Sequence, residues 1–158
     1  MKKKILGVLA SILILGYSQS FAHCQIPCGI YHDDLRFHLI EENIETIEKS
    51  MVAIQELSKS KDPLALNQIV RWIDNKEKHA EKIQNILWQY FFTQRVKPVD
   101  PKNAKAYKHY LKKLELINRI NFLAMKSKQS VDTNITKEMK KLLKEFEKLY
   151  YEDKKHKH

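Results

Sequence analysis

The residues best equipped for chemistry in this chain lie in one run of nine, His23-Cys24-Gln25-Ile26-Pro27-Cys28-Gly29-Ile30-Tyr31. It contains both cysteines of the 158-residue sequence, with a histidine directly before the first. In an exported protein two cysteines read by default as a disulfide. A disulfide closing so short a loop would stabilise little, because the benefit grows with loop length. The alternative use of two thiols beside an imidazole is coordination of a metal ion.

The residues before this run decide what His23 can offer. Lys2, Lys3 and Lys4 precede an apolar stretch from Ile5 to Leu15, and the small residues Ser20 and Ala22 occupy the −3 and −1 positions of a cleavage site. This is the pattern of a secretory signal peptide over residues 1–22. The apolar stretch is about half of the ~20 residues that a membrane-spanning helix needs. Cleavage after Ala22 would make His23 a free N-terminus.

A free His23 amine, the Cys24 amide nitrogen and the Cys24 thiolate can then close two five-membered chelate rings on one metal. Cys28 supplies a fourth donor, and Pro27 and Gly29 favour the tight return that brings it round. Two nitrogens and two sulfurs in a plane suit nickel(II) or copper(II), whereas zinc prefers a tetrahedron. The His23 imidazole is left for an axial position. Residues 23–31 therefore read as a metal hook that forms only once the amine is exposed.

The segment after the hook must hold it in place. The formal charge of +10 would fall to +7 with the leader removed, over 136 remaining residues. That length makes one domain. The lysines are spread over every segment without a nucleic-acid motif, and export argues further against a nucleic-acid partner. The charge suits a solvated surface, and would also favour a small anionic substrate.

Few glycines and prolines and a spacing of three and four between apolar residues predict an all-α domain. A first helix spans about Asp33 to Ser58, with Phe37, Ile40, Ile44, Ile47, Met51 and Ile54 on one face. Asp62-Pro63 opens a second, with the aspartate as cap, carrying Ile69, Ile73, Ala80, Ile83, Leu87 and Tyr90. Asp100-Pro101 repeats the signal for a third, with Tyr110, Leu114, Ile117 and Ala124 inward. The fourth follows Asp132 or Thr133 and carries Ile135, Met139, Leu142, Phe146 and Leu149. The longest break is Thr93 to Pro101, and a charged tail runs from Tyr151 to His158. The architecture expected is an antiparallel four-helix bundle over residues 32–152, preceded by the hook and followed by tail residues 153–158.

Lys76 interrupts the apolar face of the second helix. Either its stem leaves along the bundle edge, or it pairs with a carboxylate near a site, for which Glu41 is the candidate. His32, His38, His79, His109, His156 and His158 form no metal-ligand spacing and read as surface or packing residues.

The run HCQIPCGIY resembles the hook motif HCxxPCGxY of nickel superoxide dismutases, with every fixed position present, and the rest of the chain resembles that family's four-helix bundle. The resemblance implies that His23, Cys24 and Cys28 ligate a nickel ion, that Tyr31 guards the pocket mouth, and that superoxide is disproportionated to dioxygen and hydrogen peroxide. It also implies a homohexamer, and an acid and a base that hold the axial imidazole. Glu41 or Glu42 is the acid by position, and Lys76 stands where the family has arginine. Tyr31 could equally pack the hook against the bundle. Export implies a periplasmic or secreted protein, free of the membrane once the leader is gone. Two other readings remain: an exported nickel or copper binding protein without turnover, and a helical adaptor whose cysteines form a small disulfide.

Overall fold

A computed structural model describes residues 31–155, with side chains through Glu152. The described residues form four helices and no strands. Helix α1 spans Asp33–Leu57. Helix α2 spans Pro63–Asn85 and runs on as a π-helical segment, Ile86–Arg95. Helices α3 and α4 span Ala104–Lys128 and Asn134–Lys155. Each helix packs against its neighbours in a closed ring, α1 on α2 and α4, α3 on α2 and α4. Successive helices reverse direction: Asp33 at the start of α1 bonds Arg95 and Tyr150 from the ends of the π-segment and α4. At the opposite end, Gln55 donates to the Val131 carbonyl before α4.

The three-and-four spacing defines the core as expected. Phe37, Ile40, Ile44, Ile47 and Met51 of α1 meet Ala80, Ile83, Leu87 and Phe91 from the second helix, Ile117, Ile120 and Ala124 from α3, and Met139, Leu142 and Phe146 from α4. Ile73, 38% exposed, and the half-buried Ile69 are exceptions outside this core. The buried seam of α2 runs through Ala65, Lys76, Ala80 and Ile83, and Ile73 is rotated about 60° away from Lys76.

Several helix limits differ from the sequence expectation for local reasons. Asp62 precedes α2 and its carbonyl accepts from Leu66 N at 3.1 Å, but its side chain makes no cap bond. Helix α3 starts three residues beyond Pro101. Asp100 first uses its carboxylate on Lys102 N (2.9 Å) and its carbonyl on Asn103 N (3.0 Å), closing a turn. Asn103 is then the cap, its Oδ1 accepting from Ala106 N at 3.2 Å. The break expected from Thr93 begins only after Arg95, and Tyr151, expected in the tail, lies within α4.

Lys76 adopts neither arrangement expected for it. Its side chain is buried, 3% exposed, and Nζ donates to the carbonyls of Lys128 (3.0 Å) and Ser130 (2.7 Å). The last carbonyls of α3 have no intrahelical partner, and the ammonium supplies the missing donors. No ion pair joins Lys76 to Glu41 among the described residues. Burial lowers the Lys76 pKa, outweighing the attraction of Glu77. Lys76→Met should therefore destabilise the fold by about 1–3 kcal/mol, measured by urea unfolding, since two shielded carbonyls lose their donor.

Candidate metal centre

The hook residues His23, Cys24 and Cys28 lie outside the described residues, and Tyr31 is the first residue of the description. The geometry to be explained is what fixes Tyr31 on the bundle. Asp33, two residues later, opens α1 and gathers three donors. Its Oδ1 accepts from Tyr90 Oη at 2.5 Å and Arg95 Nε at 3.0 Å, and its Oδ2 accepts from Tyr150 Oη at 2.9 Å. Arg95 Nη2 also donates to Tyr90 Oη at 2.9 Å. That hydroxyl stands 3.3 Å from the Tyr31 carbonyl. One carboxylate thus ties the start of α1, the π-segment and the end of α4 into the residue that leaves for the hook.

The π-segment explains how Tyr90 and Arg95 reach the same carboxylate. In an α-helix, residues five apart are rotated by roughly 140°. An i→i+5 turn brings them onto one side. The wider turns are held by Thr93 Oγ1 to the Trp88 carbonyl and Gln94 Nε2 to the Gln89 carbonyl, both 2.7 Å, and by Val96 N to the Phe91 carbonyl at 2.8 Å. Arg95 lies over the Tyr90 ring, 4.7 Å from its centroid. Beneath this polar layer, Phe37, Phe91 and Phe146 meet with centroids 4.5 to 5.3 Å apart, and Tyr150 packs on Phe37 at 5.4 Å.

Burial dominates the electrostatics. Tyr90 and Tyr150 are each 5% exposed, and burial raises both phenol pKa values, reinforced by the Asp33 carboxylate. Burial alone would lower Arg95, but the Tyr90 and Asp33 contacts outweigh it and hold the guanidinium charged.

Tyr31 itself is 38% exposed. Its ring meets Tyr90 edge-on at 6.2 Å, and the Arg36 guanidinium lies 4.7 Å from its centroid. Packing against the bundle is thus one of its roles. Glu42 is exposed, with His38 Nε2 at 3.4 Å. Glu41 is half-buried in a cleft with Asp34, His38, Lys144 and Glu147. Burial there raises the Glu147 pKa, and the Glu41 charge adds to it. Lys76 is about 21 Å from Tyr90 along its helix, fourteen residues at the α-helical rise. The residues that sequence reasoning missed are Asp33, Arg36, Arg95 and Tyr150, with Tyr90 seen only as an apolar position. Their shared signal was placement near helix ends that alternate direction puts together. Among the described residues no group of three or more His, Cys, Asp or Glu side chains is arranged to hold a metal.

Two outcomes test this hub. Asp33→Asn should lower stability by ~3 kcal/mol in thermal unfolding, because it strips the counter-charge from a largely buried arginine. Stability should also fall in alkali: the raised phenol pKa values contribute fully below about pH 10, where an unfolded tyrosine titrates, and that contribution is lost as pH rises towards the folded values. Unfolding curves above pH 10 should show this fall for the native chain and a shallower one for Tyr150→Phe.

No curated protein and no solved structure matches the chain. The family model of nickel-containing superoxide dismutase matches residues 18–154, a span that includes HCQIPCGIY, the first three helices and α4 except its last residue. With most of its length inside that match, the chain belongs to the nickel-containing superoxide dismutase family, oxidoreductases that act on superoxide with nickel as cofactor.

Proposed function

We propose that the nickel of this superoxide dismutase would be held by the hook: the His23 amine and imidazole, the Cys24 amide nitrogen and thiolate, and the Cys28 thiolate. The observation that carries this reading is the unbroken donor run inside the matched span. The donor set fits the metal: two anionic thiolates and an amidate are strong donors of the kind nickel(II) accepts. When bound, nickel supplies a one-electron couple that oxidises one superoxide to dioxygen and reduces a second to hydrogen peroxide with uptake of two protons.

The chain's own residues bind and orient. Coordination requires both thiols and the Cys24 amide to give up their protons and the His23 amine to be neutral, so nickel uptake strengthens as pH rises. Tyr31, fixed through Tyr90 and Asp33, is the wall of the pocket nearest the bundle. Glu41 or Glu42 and Lys76 are the residues proposed to orient the His23 imidazole. Within one chain Lys76 is already engaged with the end of α3.

The leader, residues 1–22, is removed on export to the periplasm or beyond, and its removal creates the amine ligand. The mature chain assembles as a homohexamer. Exposed Leu64, Leu66 and Val70 on α2, and the exposed Trp88–Phe92 ring pair at 4.4 Å, support assembly through apolar contacts.

Stopped-flow superoxide decay tests the hook. Nickel-loaded protein starting at His23 should be active, and the same chain with one added alanine in front should be inactive. Cys28→Ser should lose both nickel uptake and activity. Activity retained with the added alanine would overturn the amine ligation.

A further inference from the structure

The hook end of the bundle contains two arginines in different electrostatic states. Arg95 is satisfied, bonding Asp33 and Tyr90. Arg36, one turn into α1, makes no ion pair among the described residues, and its Nε is buried without a hydrogen-bond partner there. Its guanidinium carbon lies 4.7 Å from the Tyr31 ring centroid and 5.3 Å from that of Tyr90. These two rings stand edge to face at 6.2 Å.

Stacking against aromatic rings withdraws a guanidinium from water without neutralising it. A buried N–H lacking an acceptor is unfavourable by about 1–3 kcal/mol, so such a donor marks a place where an acceptor from outside is welcome. The nearby negative charges do not cancel Arg36. Asp33 is compensated by Arg95, while Asp34 is exposed and screened by solvent. Among the described residues the charge is therefore uncompensated, beside Tyr31, which leads directly into residues 23–30.

We propose that Arg36 is the anion-docking residue of this site, receiving superoxide on its guanidinium between Tyr31 and Tyr90 before the anion reaches the hook. The inference rests on the hook being the metal site at this end. Docking here is hydrogen bonding and charge attraction, with no electron or proton transferred to Arg36. A guanidinium fits the task better than an ammonium, because its planar edge presents parallel N–H donors to both oxygens of a diatomic anion while its face stays on the rings.

The test uses the mature chain with 15N-labelled arginine, both nickel-loaded and metal-free, and azide as a non-reacting small anion. The Arg36 Nε–Hε resonance should shift saturably with azide, while Arg95 should not. In the loaded enzyme, Arg36→Gln should lower the second-order rate constant roughly three- to ten-fold at low ionic strength and flatten its salt dependence, whereas Arg36→Lys should retain most of that dependence. An unshifted Arg36 resonance, or an unchanged salt dependence in Arg36→Gln, would overturn the proposal. If the loaded native chain consumes no superoxide, the proposed turnover at the hook fails instead, and the azide titration of metal-free protein still decides Arg36.

Discussion

The Asp33 carboxylate is the constraint from which the functional end of this molecule is built. A buried carboxylate is tolerable only when its charge is paired and its lone pairs are filled, and here a guanidinium and two phenols do both. Each donor comes from a chain segment distant in sequence. The hydrogen bonds therefore do more than satisfy Asp33: they set where three helix ends stop relative to one another. The proposed hook, residues 23–31, adjoins this fixed point, and a metal site made of a chain terminus would need one, since its donors must be held in a set geometry.

Two polar fastenings between chain segments lie far apart along the second helix. At one place Lys76 ties that helix to the end of α3, and at the other the π-segment carries Tyr90 and Arg95 to Asp33. Apolar packing alone allows helices to slide by a turn at modest loss. Hydrogen bonds to specific carbonyls and to one carboxylate do not, so the two polar fastenings fix the axial register that the Phe37, Phe91 and Phe146 layer then fills.

The bundle was legible because apolar periodicity is a local signal: Phe37 to Met51 and Met139 to Phe146 describe their buried faces without reference to the rest of the chain. The family was legible for the same reason, the motif HCQIPCGIY falling within nine consecutive residues. The Asp33 hub was not. Its members are separated by up to 117 residues, and Arg95 lay in what read as a loop because the π-helical turn has no periodicity distinct from a helix ending. Lys76 was noticed as an anomaly in its seam, but its partners are backbone carbonyls, which carry no sequence signature. Ile73 was misplaced because a stripe extrapolated backwards from Ala80 has two branches, and the buried one passes through Lys76.

Tyr150 bonded to Asp33 brings the final helix to within one side-chain contact of the residue that leads into the hook. Fastening the first and last helices of a domain to one another is ordinarily what lets it tolerate circular permutation, with the old ends joined and new ones opened elsewhere. Here proximity and chemistry oppose each other. A linker joining the last helix to His23 would turn the proposed ligand amine into an amide and remove it as a donor. The bundle is topologically ready to be closed into a ring, while the proposed reaction requires that the ring stay open.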